Sequence, residues 1–531
     1  MEKKSSKLRF LMWIIGALLL VWAVICYFSE SGGLAIRNVT SLILAAGGVG
    51  AFILPWFWAQ SRRFRWITVG VVVALLVVAA SVLELRQTSG SLMPRFALRW
   101  ERTPDERLNP VKPDRNAENV VDLATTSEQD FPQFLGPDRT NRVSGRGLSA
   151  DWSNYPPQLK WRRSIGAGWS SFVAVNGFAV TMEQRGESEY VTCYEIATGK
   201  PRWAHRETTR HATVLGYIGP RSTPTIYDGR VYSLGATGIL CCLDGATGKP
   251  VWTKNTFDLA GMSQADAERY VAWGRSCSPL IVDDKVVVSI GGADPDNLIS
   301  LAAFDALTGE VIWKGANYQA SYASPALITL AGERQIVVVN QDYVTGHDPN
   351  SGQVLWEFDW AGRSNANANT SQALAATDDS IFVSKGYGKG AGVYRLIRGD
   401  DGQWQSPQEL WQNNSLKTKF SNVAIRDGYA YGLDDKRLSC VRVADGKKMW
   451  KQQQYGYGQT IMVDDYILVA GEMGELALVA VDPQQFRELG RVQVLNAQTW
   501  NTPCLYGRTM LLRNSEEVVC YELPGTDSTS P

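Results

Sequence analysis

The chain contains few of the residues that build common catalytic centres. Only three of its 531 residues are histidines, His205, His211 and His347, and none is spaced from another His or Cys as zinc ligands are. The sequence also lacks a serine nucleophile elbow, a P-loop and a dinucleotide fingerprint in a strand–turn–helix context. A Cys-x-x-Cys-His haem-attachment motif is absent as well. We therefore expect no metal site and assign no catalytic residue.

Net charge is also lacking. The 53 Lys and Arg residues balance 53 Asp and Glu residues, which gives a formal charge of zero. No basic stretch is interleaved with aromatic residues, as a nucleic-acid-binding surface would require. We therefore expect no nucleic-acid partner.

The cysteines do not suggest a disulfide framework. Seven of the eight lie outside the apolar N-terminal region, an odd number. Four of them, Cys193, Cys242, Cys440 and Cys520, occupy one repeated position, where a small packed residue is expected. The adjacent pair Cys241–Cys242 lies in a predicted strand, where neighbouring side chains point to opposite faces. A bond between these two cysteines would break the strand, so we expect both to be structural.

Three long apolar runs distinguish the N-terminus. Residues 11–28, 39–58 and 66–83 are uncharged and near bilayer-spanning length, which predicts a membrane anchor over residues 1–85. The small-residue run at 45–50 permits close helix packing. The basic residues before the first run, and those assigned to a short loop before the third, predict a cytoplasmic N-terminus; they are Lys3, Lys4, Lys7, Arg9, Arg62, Arg63 and Arg65. Four arginines after the third run oppose this orientation: Arg86, Arg95, Arg99 and Arg102.

A polar, Pro-containing stretch follows the anchor. Residues 86–130 show no periodicity and are predicted to be a linker. At the other end of the chain, residues 524–531 are predicted to be a disordered tail.

A recurring phrase defines the rest of the chain. An acidic residue precedes a Thr-Gly or similar turn and then a Trp, as in Asp244-Gly-Ala-Thr-Gly248-Lys-Pro-Val-Trp252 and Asp305-Ala-Leu-Thr-Gly309-Glu-Val-Ile-Trp313. The repeat length and the strand-like runs around each turn predict a β-propeller. The predicted blade anchors, one in the fourth strand of each unit, are Trp161, Trp203, Trp252, Trp313, Trp356, Trp411 and Trp450.

Eight blades are predicted over residues 131–523, with a degenerate eighth anchor at 489–492. Seven blades remain the alternative if that unit is an excursion. The first anchor, Trp161, has no preceding strands, and the last strands have no following anchor. We therefore expect the ring to close by pairing the two ends of the domain, which removes free sheet edges.

Residues just before the first strand of each blade are predicted to line the central funnel. Arginine supplies paired donors and tryptophan a stacking face, which together suit a flat anionic ligand. Polar, hydrated funnels also occur in propellers of many functions, so a ligand and plain hydration both stay open. The candidate binding residues are Trp169, Arg221, Arg275, Tyr322, Asn369, Lys419, Gln459 and Trp500.

The phrase from Leu243 to Trp252 resembles the repeat of pyrroloquinoline-quinone (PQQ) quinoproteins. Their non-catalytic relatives, including the outer-membrane assembly factor BamB, share this repeat. The stretch Phe131-Pro-Gln-Phe-Leu-Gly-Pro137-Asp-Arg resembles the opening of membrane-associated PQQ-like proteins. The resemblance implies an all-β, eight-bladed PQQ-like propeller, here preceded by three transmembrane helices.

For quinoprotein dehydrogenases, the resemblance implies a quinone over the central axis, a calcium or lanthanide ion and a catalytic aspartate. None of those residues is matched here. If a quinone binds, Arg221, Arg275 and Lys419 are the partners for its carboxylates, and Glu183 or Glu472 is the metal ligand. We otherwise expect no cofactor.

Three functions are compatible with these features. The first is a non-catalytic scaffold, anchored in the inner membrane with its propeller in the periplasm, that binds envelope proteins. The second is a membrane-bound PQQ-dependent dehydrogenase of alcohols or sugars. The third is a sensor whose funnel binds a ligand. The missing metal ligands and haem motif favour the scaffold.

Overall fold

The computed structural model describes residues 2–28, 34–91, 93–114, 120–362 and 368–526. The chain forms two compact units, Met1–Arg102 and Thr103–Pro531. The first unit is mainly helical, whereas the second contains all but two of the strands that the structure describes.

The N-terminal unit consists of three helices and a hairpin. Two helical stretches, Thr40–Ala59 and Arg62–Val82, are long and apolar enough to cross a membrane, and Phe10–Cys26 is a shorter apolar stretch. The complete elements are α1 (Glu2–Phe28), α2 (Leu34–Ala59), α3 (Arg62–Val82), β1 (Leu83–Thr88) and β2 (Pro94–Leu98).

Glycine allows the first two helices to pack closely. A Cβ atom on Gly48 of α2 would lie 3.0 Å from the carbonyl oxygen of Gly16 in α1, as the small-residue run predicts. The prediction of a basic loop before α3 is wrong, because Arg62, Arg63 and Arg65 lie in the first turn of that helix. The helix begins there because Ser61 caps it, accepting a hydrogen bond from the backbone N–H of Phe64 at 3.2 Å.

The second unit begins with a short 3₁₀ helix, Asp105–Arg107. It contains eight sheets, each built on four antiparallel strands, and one of them has an additional fifth strand. Two strands precede the first sheet: β3 (Arg142–Val143) and β4 (Gln158–Ser164). The first sheet contains β5 (Val173–Val175), β6 (Phe178–Arg185), β7 (Ser188–Glu195) and β8 (Pro201–Glu207). A small hairpin follows, formed by β9 (Ala212–Thr213) and β10 (Tyr217–Ile218).

The next three sheets repeat this order. The second contains β11 (Thr225–Tyr227), β12 (Arg230–Leu234), β13 (Ile239–Asp244) and β14 (Pro250–Asn255), followed by α4 (Thr256–Leu259) and α5 (Gln264–Tyr270). The third contains β15 (Leu280–Val282), β16 (Lys285–Gly291), β17 (Ile299–Asp305) and β18 (Val311–Gly315). The fourth contains β19 (Ala326–Leu330), β20 (Glu333–Val339), β21 (Tyr343–His347) and β22 (Val354–Asp359).

The fifth and sixth sheets are also continuous in sequence. The fifth contains β23 (Leu374–Thr377), β24 (Ser380–Lys385), β25 (Gly390–Arg398) and β26 (Trp404–Asn413). The sixth contains β27 (Ala424–Arg426), β28 (Tyr429–Asp434), β29 (Arg437–Arg442) and β30 (Lys448–Gln454).

The last two sheets combine strands from both ends of the unit. The seventh contains β31 (Gln459–Val463), β32 (Tyr466–Ala470), β33 (Glu475–Ala480) and β34 (Glu488–Gln493), with β3 added parallel to β31. The eighth contains β35 (Cys504–Tyr506), β36 (Thr509–Arg513) and β37 (Glu517–Glu522), and its fourth strand is β4. The eight-bladed propeller and its closure by the two ends are therefore confirmed.

Most of the tryptophan anchors fasten their own sheet to the next one. Six of the seven indoles donate a hydrogen bond to a backbone carbonyl in the following sheet, at 2.7–3.2 Å: Trp161, Trp203, Trp252, Trp313, Trp411 and Trp450. Trp356 is different, because its Nε1 donates to Oε1 of Gln335 in its own sheet at 2.6 Å. In the fifth sheet, the turn that Trp356 would meet is replaced by the longer β25–β26 hairpin.

The degenerate anchor lies in β34. Gly490 of β34 pairs with Leu478 of β33, just as Trp252 of β14 pairs with Cys242 of β13 in the second sheet. Gly490 therefore stands at the position that the tryptophan anchor occupies in the other blades. The buried indole of Trp152, far away in sequence, packs against Gly490. Trp152, which precedes the first sheet of the propeller, thus occupies the place of the missing anchor.

Residues 131–148, here called the axial segment, lie at one end of the propeller axis and form hydrogen bonds to seven of the sheets or to residues that border them, and to Thr526 just after the eighth. Arg139 is buried and donates to the carbonyl oxygens of Ser278, Pro279 and Pro325 at 2.7–3.1 Å. The segment forms further hydrogen bonds, each between one of its residues and one residue of the propeller: Phe131 with Ala174, Pro132 with Ile226, Arg139 with Gln372, Arg142 with Ile425, Asn141 with Met462 and Gly147 with Thr526. The Phe131–Arg139 motif therefore has a structural role in joining the blades.

Ser-Pro and Thr-Pro pairs at residues 223–224, 278–279 and 324–325 form a second set of links around the axis. The hydroxyl before each of these prolines accepts a backbone N–H from the residues that border the preceding sheet: Ser171 to Thr223 at 3.2 Å, Thr223 to Ser278 at 3.0 Å and Ser278 to Ser324 at 2.9 Å. Ser171 joins the eighth sheet to the first in the same way, accepting from the N–H of Thr502 at 2.8 Å. These hydroxyls surround the space in which a ligand was expected.

The predicted linker and tail contain ordered elements where the structure describes them. The β1–β2 hairpin occupies residues 83–98, and Val121 and Leu123 pack into the core between the first two sheets. Gly525 pairs with Leu148. Residues 115–119 and 527–531 lie outside the described part of the chain.

Candidate functional site

A cavity of about 130 Å³ lies where the first strands converge. Five of the eight predicted binding residues line it: Trp169, Arg221, Tyr322, Gln459 and Trp500. Hydroxyl and amide side chains from the same ring of strands complete the wall, namely Ser171, Thr223, Ser276, Ser324, Thr370, Asn422 and Thr502. Phe134 of the axial segment also lines the cavity, and Leu215, 48% exposed, does so next to solvent.

Aromatic rings dominate the cavity. The rings of Trp169 and Trp500 have centroids 4.8 Å apart, and Trp500 lies 4.7 Å from Phe420. Trp273 stacks on Tyr322 at 4.7 Å and lies 5.9 Å from Phe420. These five residues form one connected aromatic wall, so the cavity favours an apolar or aromatic group.

Two wall residues, Trp273 and Phe420, were not among the predicted binding residues. Phe420 directly follows the predicted Lys419 and, like it, stands just before the first strand of a blade. The same repeat position therefore could have predicted Phe420 as a lining residue. Trp273 follows the irregular α4–α5 insertion, which interrupts the repeat spacing. The repeat pattern therefore gave no signal for Trp273.

The polar groups of the cavity are largely used by the protein itself. Arg221 donates through Nη1 to the carbonyl of Gly219 at 2.7 Å and through Nη2 to that of Gly216. Burial lowers the pKa of Arg221 to about 10. Gln459 donates to the carbonyls of Phe420 and Trp500 at 2.7 and 2.9 Å. Two of the five N–H donors of Arg221 and both amide donors of Gln459 are therefore bonded within the protein.

The three other predicted residues do not line this cavity. Arg275 borders a separate small pocket of about 10 Å³, with its guanidinium 5.3 Å from the ring of Phe257. The side-chain amide of Asn369 donates to the carbonyl of Asn340 at 2.6 Å. The ammonium group of Lys419 lies 4.6 Å from the ring of Tyr457, and burial lowers the pKa of this lysine to about 8.

The two carboxylates predicted as possible metal ligands do not line the cavity. Glu183 is buried and accepts hydrogen bonds from Gly166 N–H and from the hydroxyls of Thr192 and Tyr194 at 2.6–2.8 Å. Burial acts to raise the pKa of Glu183, but Arg185 and the hydrogen bonds leave it lowered overall. Glu472 accepts the indole N–H of Trp500 at 3.3 Å. Glu472 therefore helps to orient the indole of Trp500, which lines the cavity.

Comparison with known proteins identifies the family. The family described as outer membrane protein assembly factor BamB matches residues 145–274 and 187–452, which together span more than half of the chain. The chain belongs to this BamB family. Among curated proteins, no match was found.

Solved structures with the same architecture include members of two functional classes. BamB from Moraxella catarrhalis is 14% identical, with coverage of 69% of this chain and 99% of that one and a TM-score of 0.48. A quinohemoprotein alcohol dehydrogenase from Pseudomonas putida HK5 is 12% identical, with coverage of 77% and 83% and a TM-score of 0.53. At these identities the similarity concerns the fold alone.

The cavity of this BamB-family chain does not fit PQQ. An engineered cavity of about 150 Å³ holds a single benzene ring, whereas PQQ is a tricyclic tricarboxylate. Among the described residues, Arg221 is the one cationic side chain in the lining, and no carboxylate lines the cavity to hold calcium. Size and charge therefore both disagree with a bound quinone and its metal ion.

Proposed function

We propose that this BamB-family chain is a membrane-anchored, extracytoplasmic scaffold that binds envelope proteins and does not catalyse a reaction. The observation that carries this proposal is the aromatic axial cavity. It is too small for the quinone of the dehydrogenases, and its lining offers neither a metal ligand nor a second cation. A ring of eight linked sheets with an apolar recess on its axis suits protein recognition better than redox chemistry.

The recess has the size and lining for one side chain of a protein partner. Interfaces commonly centre on an aromatic or aliphatic anchor that fills an apolar pocket. Here the pocket is walled by Trp273, Phe420 and Trp500 and reaches solvent beside Leu215. A partner that inserts an aromatic or large aliphatic residue would bury it against these rings.

The N-terminal unit supplies the anchor in this proposal. α2 and α3 have the length and apolar composition of membrane spans, and α1 contains the shorter apolar stretch Phe10–Cys26. Basic residues at 3–9 and 62–65 favour a cytoplasmic N-terminus. The propeller would then be periplasmic, where envelope proteins are assembled.

The first test is calorimetric titration of the full-length protein in detergent with PQQ, with and without calcium. The scaffold predicts no binding heat in either condition. Binding that requires calcium would overturn the scaffold proposal and favour the dehydrogenase, which a dye-linked assay with alcohols and sugars would then test. Bacterial alkaline phosphatase fused to the C-terminus should be active, because the disulfides that this enzyme needs form only outside the cytoplasm.

The second test locates the partner. A photo-crosslinking amino acid placed at Leu215, at the mouth of the recess, should capture a discrete envelope protein in intact cells. The same group at Leu410, which is 39% exposed on β26, provides a control of similar exposure. Equal capture from both positions would contradict binding at the recess.

A further inference from the structure

A second group of polar side chains lies in the interface between the first and second sheets, outside the axial cavity. His205 and Glu207 are alternate residues of β8 and therefore point to the same face. His205 Nε2 lies 2.8 Å from Glu207 Oε1, and Cys241 Sγ of β13 lies 4.0 Å from the same oxygen. All three donor atoms lie within 4.8 Å of one another.

The buried carboxyl group of Glu189 lies next to Glu207 and accepts a hydrogen bond from the backbone N–H of Ala236 at 3.3 Å. Glu189 is 4% exposed and stands directly opposite Glu207 in the register of β7 and β8. Like charges that face each other across a strand pair are destabilising, and a buried carboxylate needs a compensating partner. Among the described residues, neither glutamate forms a salt bridge with Lys or Arg, although Arg221 attracts Glu189 from farther away.

The surroundings of the group are apolar. Val191, Trp203 and Leu243 belong to the same buried cluster as Cys241. Thr253, the cross-strand neighbour of Cys241, donates its hydroxyl to Cys241 Sγ at 3.7 Å. An imidazole, a carboxylate and a thiol that meet in such an interface resemble a ligand set more than a solvated surface.

We propose that His205, Glu207 and Cys241 bind a divalent transition-metal ion, with zinc as the best chemical match. Mixed nitrogen, oxygen and sulfur donors suit zinc, whose bonds to them measure about 2.0–2.3 Å. Such bonds place donor atoms about 3.3–3.7 Å apart in a tetrahedron, so the three side chains need to shift by about 1 Å. The partly exposed side chains of His205 (11%) and Glu207 (29%) allow this movement and leave a path for the ion.

The site would link two blades. β8 belongs to the first sheet and β13 to the second, so the metal adds a bond across their interface. Binding also displaces the thiol proton of Cys241 and offsets the negative charge of Glu207. A fourth position stays open for water.

The chain provides its own control in the neighbouring cysteine. Cys241 faces the first sheet, whereas Cys242 lies in the cluster that contains Trp252 and Phe304 of the next interface. Both thiols are buried and lie in the same strand. Replacing each by serine therefore changes similar surroundings but removes only one proposed ligand.

The test is a cobalt titration of the untagged full-length protein in detergent after treatment with a chelator. We expect one equivalent of Co²⁺ to bind, with a thiolate-to-cobalt charge-transfer band, and one equivalent of Zn²⁺ to abolish the band. The band should disappear in Cys241→Ser and persist in Cys242→Ser. A band that survives in Cys241→Ser, or no stoichiometric binding by the wild type, would overturn the site.

A second variant guards against misfolding of the cysteine mutant. Glu207→Gln, at a partly exposed position, should weaken zinc binding by at least about tenfold and leave the melting temperature of the metal-free protein nearly unchanged. Glu187→Gln, on the neighbouring hairpin and 78% exposed, should bind zinc like the wild type. Equal zinc affinity in both glutamine variants would also overturn the proposal.

Discussion

Trp152 packs against Gly490, at the position where the other blades carry their own tryptophan. A Cβ atom built on Gly490 would lie 2.5 Å from the Cβ of Trp152. The pair thus fixes the stretch between β3 and β4 onto the seventh sheet, and it fills the gap that the degenerate repeat leaves.

This contact predicts strong coupling between the two residues. Trp152→Gly should destabilise the propeller by about 3–5 kcal/mol, because it leaves a cavity. Gly490→Ala should cost about 1–3 kcal/mol through overpacking against the Cβ of Trp152, but nearly nothing when residue 152 is already glycine, which lacks that Cβ. Urea unfolding of the two single variants and the double variant gives the coupling energy. Additive effects of the two changes would contradict the contact.

The turn glycines under the tryptophan anchors should be unusually sensitive to substitution. Gly309 has a φ of +69°, and a Cβ there would lie 2.6 Å from the Trp252 ring. Gly428 has a similar φ of +77° but open space around it. Gly309→Ala should therefore be less stable than Gly428→Ala by about 1–3 kcal/mol, the cost of overpacking. Thermal unfolding of both variants measures this difference, and equal losses would mean that backbone strain alone matters.

Arg139 should be the most sensitive residue of the axial segment. Arg139→Met removes the donors of three buried carbonyl groups, so we expect a loss of about 3 kcal/mol or more. Arg142→Met serves as the control, because exposed Arg142 gives one hydrogen bond to Ile425. Its expected cost is below about 1 kcal/mol. Denaturation midpoints of the two variants test the ranking.

His347 should make the propeller sensitive to acid. Its Nδ1 lies 3.0 Å from the carbonyl oxygen of Gly352, and burial lowers its pKa from 6.5 to about 4. The unfolded state therefore binds the proton first, and stability falls as the pH drops from about 6.5 to about 4, by up to about 3 kcal/mol. His347→Asn keeps a donor for Gly352 and removes the titration. The stability difference between wild type and variant should shrink at low pH, and a constant difference would refute this assignment.

The repeat phrase was sufficient to predict the blades, because the turn, the following strand and the tryptophan lie close together in sequence. Even the degenerate unit at 489–492 falls inside β34 (Glu488–Gln493). Trp152 was not predictable as its anchor, since the two partners are far apart in the chain. Local sequence patterns predict the order of neighbouring strands, whereas the packing of Trp152 against Gly490 depends on closure of the whole ring.

Side-chain direction limited the prediction of the site. Arg221 and Arg275 both stand just before a serine at the approach to a first strand, but only Arg221 lines the axial cavity. The α4–α5 insertion precedes Arg275 and provides Phe257, over which its guanidinium lies. The sequence did not predict that His205, Glu207 and Cys241 lie together, for a related reason: Cys241 meets the other two only when two blades pack together.

Closure of the ring by β4 and β37 also sets the order in which the propeller can be completed during synthesis. β3, β4 and Trp152 leave the ribosome early, but their partners in the seventh and eighth sheets are made last. Until residue 522 is available, β4 has no edge to pair with, and the axial segment lacks its final contacts. A nascent or truncated chain therefore exposes unpaired strands, which are prone to aggregate. Loss of the last strand would thus disable the beginning of the domain as much as its end.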